Sequence, residues 1–275
     1  MSNNKYGNQR NAEATARYWN KPLDKVDWYK IEALSEDNTE VMIFDLIGWP
    51  FNDAGDIIRA LAGINSKSIT VRINSPGGDV FDAMAIFNAL QSHKSKVITR
   101  VESLAASAAS FIALAGKEVQ AYQNAMFMIH EPWVLAAGSQ HDLREIADIL
   151  EKISGNMVDI YAQNSNVGKK EIREMLKAET WFTAKEAKER GFVDTIIDGK
   201  AAKAQFDLSM YANAPDGFDF VAGREPTERD AEKALRDAGF SRNKAKAILA
   251  RGLKPDARDE EILAAKNLLK LIGGK

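Results

Sequence analysis

The chain has 275 residues, 45% hydrophobic and 28% charged, with a net charge of −2 and pI near 6.0; it can build a substantial core, and the balanced charge argues against a protein built around nucleic acid. The absence of cysteine excludes disulfides, a thiol nucleophile and thiolate metal sites, and the three histidines, His93, His130 and His141, lack metal-ligand spacing, so neither a metal nor another cofactor is expected. The first twenty residues lack the apolar run of a signal peptide and no window reaches membrane-spanning length, so a soluble, cytoplasmic protein is expected.

Residues 1–27 are polar and read as an N-terminal extension. From 28 onward, "WYKIEAL" and "VMIFDLIGW" read as strands about the turn-forming "SEDNTE". Helix and strand then alternate: "DAGDIIRALAGI" helical, "SITVRI" extended, "DAMAIFNALQSH" helical, "KVITRV" extended. That order predicts an α/β fold with a mostly parallel sheet covered by helices. "EVQAY" and "AMFMIH" read as further strands. Over 140–165, Ile146, Ile149, Leu150, Ile153, Met157, Ile160 and Tyr161 form one stripe on a long helix, which serves either as core or as a self-association face. In "TAKEAKERG", Thr183 and Glu186 form a capping box and Gly191 ends the helix before the strand "FVDTII". The core domain therefore closes near 198; 199–223 has linker composition and 224–275 reads as a helical tail, with Thr227 and Ser241 as caps and Gly239 and Gly252 as stops.

Three fragments can carry chemistry. "VESLAASAASFIALAG", 101–116, offers Ser103, Ser107 and Ser110 among small residues, and on composition alone close helix packing explains it. "INSPGGDV", 73–80, sits at the carboxyl end of a strand, where open α/β sheets place their sites; its glycines can expose backbone N–H groups, although most Gly-Gly turns only connect. "MFMIHEPW" puts His130 at the end of an apolar strand, a place more often structural than catalytic.

Together, "INSPGG", "AASAASFIALAG", "MIHEP" and "ETWFTAKEAKERGFVD", in that order over about 41–194, resemble the ClpP family of self-compartmentalised serine peptidases. The resemblance implies the ClpP/crotonase-like ββα spiral, Ser107 as nucleophile, His130 as general base, and the N–H groups of Gly78 and Ala108 as an oxyanion hole. A serine at the start of a helix, beside its unpaired N–H groups, suits developing negative charge, and an imidazole can carry the proton at neutral pH. The family usually places an aspartate before the aromatic residue of the last motif; here it is Glu179, with Asp194 as the second carboxylate to consider, and a solvated loop glutamate as the alternative role for Glu179.

The resemblance also makes the 140–165 helix the family's handle, and implies a homo-oligomeric ring, heptameric or stacked in pairs, acting on polypeptides. The N-terminal extension and helical tail are foreign to housekeeping members; that layout is similar to ClpP-type head maturation (prohead) proteases of phages, which process scaffold and capsid protein, the substrates this resemblance implies. The alternatives are a proteolytic subunit served by an ATP-driven unfoldase, a ring-forming scaffold with a decayed site, and an acyl-CoA enzyme of the crotonase fold. In the tail, 240–254 holds five Lys or Arg and no acid, but 13 basic against 9 acidic residues over 224–275 is too small a surplus for DNA binding. A helical hairpin that docks onto scaffold or shell, or is cut off during maturation, is expected instead.

Overall fold

The structure, a computed structural model, describes residues 15–16, 27–199, 206, 208, 210–215, 232, 235, 236, 241 and 244. The chain divides into two compact units, Met1–Phe220 and Val221–Lys275. In the second unit Leu235 is buried, and Ser241 Oγ accepts the Lys244 N–H at 3.4 Å, the contact expected of a helix cap. The expected caps and stops at Thr227, Gly239 and Gly252 lie outside the described residues, as does most of 1–27.

The first unit carries β1 (Tyr29–Ala33), β2 (Asn38–Phe44), α1 (Ala54–Ala62), β3 (Ser68–Ser75), α2 (Val80–Gln91), β4 (Lys96–Ala106), α3 (Ala108–Ala113), β5 (Glu118–Tyr122), β6 (Met126–Ile129), α4 (Gln140–Gln163), α5 (Lys169–Lys177), β7 (Thr180–Thr183), α6 (Ala184–Glu189) and β8 (Thr195–Ile197). The sheet runs β1-β2-β3-β4-β5-β8, antiparallel only at β1/β2 along this path, with β6 pairing β4 in parallel and β7 antiparallel. This is the mostly parallel α/β architecture expected from the alternation of elements. Asp53 and Asp79 cap α1 and α2 through their side chains, and Thr183 with Glu186 makes the capping box anticipated for α6. Strands β2 and β3 bury Val41, Ile43, Ile69, Val71 and Ile73 completely against the helices.

Two elements go beyond the sequence reading. Helix α5 buries Ile172, Met175 and Leu176 at helical spacing in an otherwise charged segment. Strand β7 incorporates "TWFT", so the loop expected around Glu179 ends in a ladder with β6.

Strand β4 is also longer than the "KVITRV" strand, and its length organises the molecule. Its residues Ile98–Val101 pair with β5, whereas Leu104–Ala106 pair with β6. Between the two regions the register against β3 jumps from Ile73↔Val101 to Ser75↔Ala105, an irregularity that turns the strand. The sheet therefore forks at β4. The alanines beyond the fork, Ala105 and Ala106, are fully buried, and their small side chains admit β6 on one side and α3 on the other.

Candidate active site

Parallel pairing of β4 with β6 brings the first two candidates together. Ala106 lies opposite Met128, and the Ser107 N–H donates to the Met128 carbonyl at 2.9 Å, so both strands end side by side. Ser107 Oγ lies 2.7 Å from His130 Nε2. Ser107 occupies the N-cap position of α3 at φ 53°, ψ −124°, a sharp strand-to-helix corner that few non-glycine residues adopt. Such a corner lifts a hydroxyl out of the sheet, as in other strand-to-helix nucleophile elbows.

The glycine turn packs on the same corner. A Cβ at Gly77 would lie 2.7 Å from Ser107 Cβ, and one at Gly78 only 2.0 Å from the Ile47 carbonyl oxygen; both residues have positive φ. Gly77 O accepts from the Ile47 N–H and the Asp79 N–H donates to Ile47 O, at 2.9 and 2.7 Å. The Gly78 amide between them is left out of that pairing. Gly78 and Ala108 line one cavity with Ser107 and His130.

His130 is 9% exposed. Burial lowers its pKa from 6.5 to about 4, and the negative charge of Glu179 opposes that shift. The β6/β7 ladder accounts for the proximity: Ile129 pairs with Thr180, so the next step places His130 opposite Glu179. Glu179 itself is at φ 48°. Its oxygens accept from Trp181 Nε1 at 3.3 Å and from the backbone N–H groups of Ala212 and Asn213 at 3.0 and 2.7 Å. Among the described hydrogen bonds none joins Glu179 to His130; the carboxylate acts on the imidazole through its charge. Asp194 is elsewhere, accepting from the Val119 N–H at 2.7 Å on the β5 branch of the fork.

The other serines are structural. Ser110 Oγ meets both the Ser107 carbonyl oxygen and the Tyr161 hydroxyl at 2.5 Å in a fully buried setting, and Ser103 is a buried residue within β4. His93 is tied to Leu61 O and the Ser95 N–H, while His141 is exposed on α4 beside Glu145.

The cavity holds about 440 Å³ and is walled chiefly by apolar groups. Trp49, Phe81, Trp133 and Ile149 line it and are exposed, so a chain of apolar character could be seated beside Ser107 against mostly apolar walls. Of these, Ile149 belongs to the apolar stripe already read on the 140–165 helix, whereas Trp49 and Trp133 did not stand out in sequence, because a lone aromatic residue in a loop carries no periodic signal, and neither did Phe81 at the start of α2. Tyr211 was also missed. Its stretch resembles a linker in composition, although the alternation Phe206, Leu208, Met210 just before it is a packing signal. Leu208 and Tyr211 in fact join a buried cluster with Leu104, Ala106, Met126 and Met128.

Comparison with known proteins covers this region. A family model described as "Clp protease" matches residues 31–200. The ATP-dependent Clp protease proteolytic subunit of Lactococcus lactis subsp. cremoris is 34% identical over 143 residues, 50% of this chain and 72% of that protein. Subunit 1 of Streptomyces coelicolor is 35% identical over 139 residues, covering 50% and 64%, and the Streptococcus thermophilus subunit 33% identical over 160 residues, covering 55% and 82%. Among solved structures, a mutant ClpP1 from Listeria monocytogenes superposes with a TM-score of 0.52 at 25% identity, over 58% of this chain and 91% of that one. With the forked parallel sheet and a model match spanning more than half of its length, this chain belongs to the Clp protease family.

Proposed function

We propose that the protein is a serine endopeptidase in which Ser107 is the nucleophile, His130 the general base, Glu179 the charge that favours the imidazolium, and the Gly78 and Ala108 amides the oxyanion hole. The observation that carries this reading is the 2.7 Å approach of Ser107 Oγ to His130 Nε2 at a strained corner inside an apolar cavity. With the ring proton on Nδ1, the Ser107 hydroxyl donates to Nε2, and attack on a peptide carbonyl passes that proton to the ring. The imidazolium so formed is buried, and the Glu179 charge offsets part of that cost. The carbonyl oxygen, now negative, takes the two amides, each worth about 10²- to 10³-fold in rate. The ring then returns its proton to the leaving amine, and water repeats the cycle on the acyl-enzyme. A fluorophosphonate should label Ser107 of the wild type and not of Ser107→Ala; an assembled wild type that takes no label overturns the assignment.

Two settings are supported by different observations. The residues beyond the family match at both ends support maturation of phage or prophage heads, with scaffold and capsid protein as substrates. The relatives' designation as proteolytic subunits of ATP-dependent proteases supports degradation of unfolded chains alongside an unfoldase. In either setting the active unit is a homo-oligomeric ring, and the apolar stripe left exposed on the N-terminal half of α4, including Leu143 and Ile149, supports that assembly. Co-expression of wild type or Ser107→Ala with scaffold and capsid genes, compared with casein digestion plus ATP and an unfoldase, separates the two by fragment mass. Rings that cleave neither protein would instead mark a decayed scaffold.

A further inference from the structure

Beyond β8, the last strand among the described residues, the chain returns to the site. Tyr211 is 6% exposed and stands edge-on to the His130 ring, with centroids 5.4 Å apart and planes at 86°. It packs edge-on to Trp181 at 5.7 Å and donates its hydroxyl to the Pro76 carbonyl, immediately before the glycine turn. The next two amides, of Ala212 and Asn213, donate to the Glu179 carboxylate at 3.0 and 2.7 Å. Asn213 Nδ2 anchors the turn to the Ala178 carbonyl at 2.8 Å. Three consecutive residues thus touch the base, the carboxylate and the loop that leads to Gly78.

We propose that Tyr211 is a positioning residue for peptide hydrolysis, and that residues 211–213 form a clasp that holds His130, Glu179 and the Pro76–Gly78 turn in one arrangement. This role presupposes the peptidase chemistry assigned above to Ser107 and His130. Without the Tyr211 ring the imidazole keeps its bond to Ser107 but loses the wall that fixes its plane and keeps water from it. Without the two amides the Glu179 carboxylate keeps, among the described hydrogen bonds, only the longer contact from Trp181 Nε1, and its field at the imidazole weakens as it turns toward solvent. The groups that face the ring are the Ser107 hydroxyl from the β4–α3 corner, the Glu179 carboxylate from the turn before β7 and the Tyr211 phenol from the clasp; Glu131, next in sequence, is exposed.

The test uses the full chain with Tyr211→Phe, which keeps the ring, and Tyr211→Leu, which stays apolar but removes the ring and opens the wall beside the imidazole. Peptide hydrolysis and fluorophosphonate labelling of Ser107 are followed across about pH 4 to 9. Tyr211→Phe, which gives up the Pro76 contact, should lower kcat by about threefold, and Tyr211→Leu should lose about tenfold or more in kcat and in labelling rate, both with KM within about twofold. In Tyr211→Leu the acid limb should also move from about 4 toward 6.5, because water regains access to the imidazole. A Tyr211→Leu variant with the wild-type kcat, labelling rate and acid limb overturns the role. Should that variant fail to fold, Asn213→Ala, at an exposed position, removes one anchor of the clasp. It should lower kcat by about threefold with KM unchanged, and wild-type kcat would count equally against the clasp. Wild type that neither cleaves nor labels overturns the peptidase assignment together with the clasp; an active wild type with indifferent variants overturns the clasp alone.

Discussion

Ser107 and Ser110 lie one helical turn apart in the same run of alanines, yet their surroundings divide them. The first hydroxyl faces a cavity and an imidazole; the second is spent between a carbonyl and the Tyr161 phenol. Ser107→Ala should therefore abolish peptidase activity, by at least about 10⁴-fold, without loss of thermal stability. Ser110→Ala should lower stability by about 1–3 kcal/mol in denaturant unfolding, because it leaves a fully buried phenol without that partner. For His130 the sign follows from burial. The ring accepts the serine proton only when neutral, so kcat/KM should hold down to weakly acidic pH and fall through about 4. Unfolded, the same ring protonates from about 6.5 downward. Between these values the unfolded chain binds more protons, so the His130 contribution makes stability fall as pH is lowered from 6.5 toward 4.

Among the elements, β4 and α4 each serve two purposes along one length. The first part of β4 belongs to the sheet core, its last residues to the site, and a cross-strand cluster of charges stiffens the region before the fork: Arg72 on β3 pairs with Glu102 on β4 at 2.6 Å and Glu40 on β2 at 3.2 Å. The Glu102 side chain is only 3% exposed, so Arg72→Met should cost about 3 kcal/mol, read by denaturant unfolding, by leaving that carboxylate buried without its cation. In α4 the apolar stripe divides in the middle. Ile153, Met157, Val158 and Tyr161 are core, whereas Leu143 and Ile149 stay exposed. Met157→Ala should cost about 2–5 kcal/mol, while Ile149→Glu should change stability by less than about 0.5 kcal/mol and, with the ring assembly proposed above, reduce the particle mass in sedimentation.

At the scale of the molecule, the unit Met1–Phe220 is compact in itself and contains every group assigned to the chemistry. A chain ended after Phe220 should fold and label at Ser107 within about twofold of the full protein. One ended after residue 205 should label at least about tenfold more slowly, because the clasp and the Leu208 and Tyr211 side chains that seat it on β4 and β6 go with the cut. Labelling by mass spectrometry with a melting curve on each chain checks both outcomes.

Local chemistry was legible in the residues themselves. The period of the apolar positions marked most helices and strands, Thr183 and Glu186 announced a helix start, and Gly77 and Gly78 marked a turn open to close approach, since each of these signals is a property of neighbours along the chain. The fork at β4 was not of that kind. Whether three serines, three histidines and two carboxylates resolve into one pair depends on which strands lie side by side, and pairing is a contact between segments remote in sequence. Parallel register set His130 beside Ser107, the antiparallel register of β7 brought Glu179 opposite His130, and packing against Met126 and Met128 drew Tyr211 out of an apparent linker. Long-range burial alone decides such encounters, because the free energy that selects them resides in surfaces that meet only once the chain has folded.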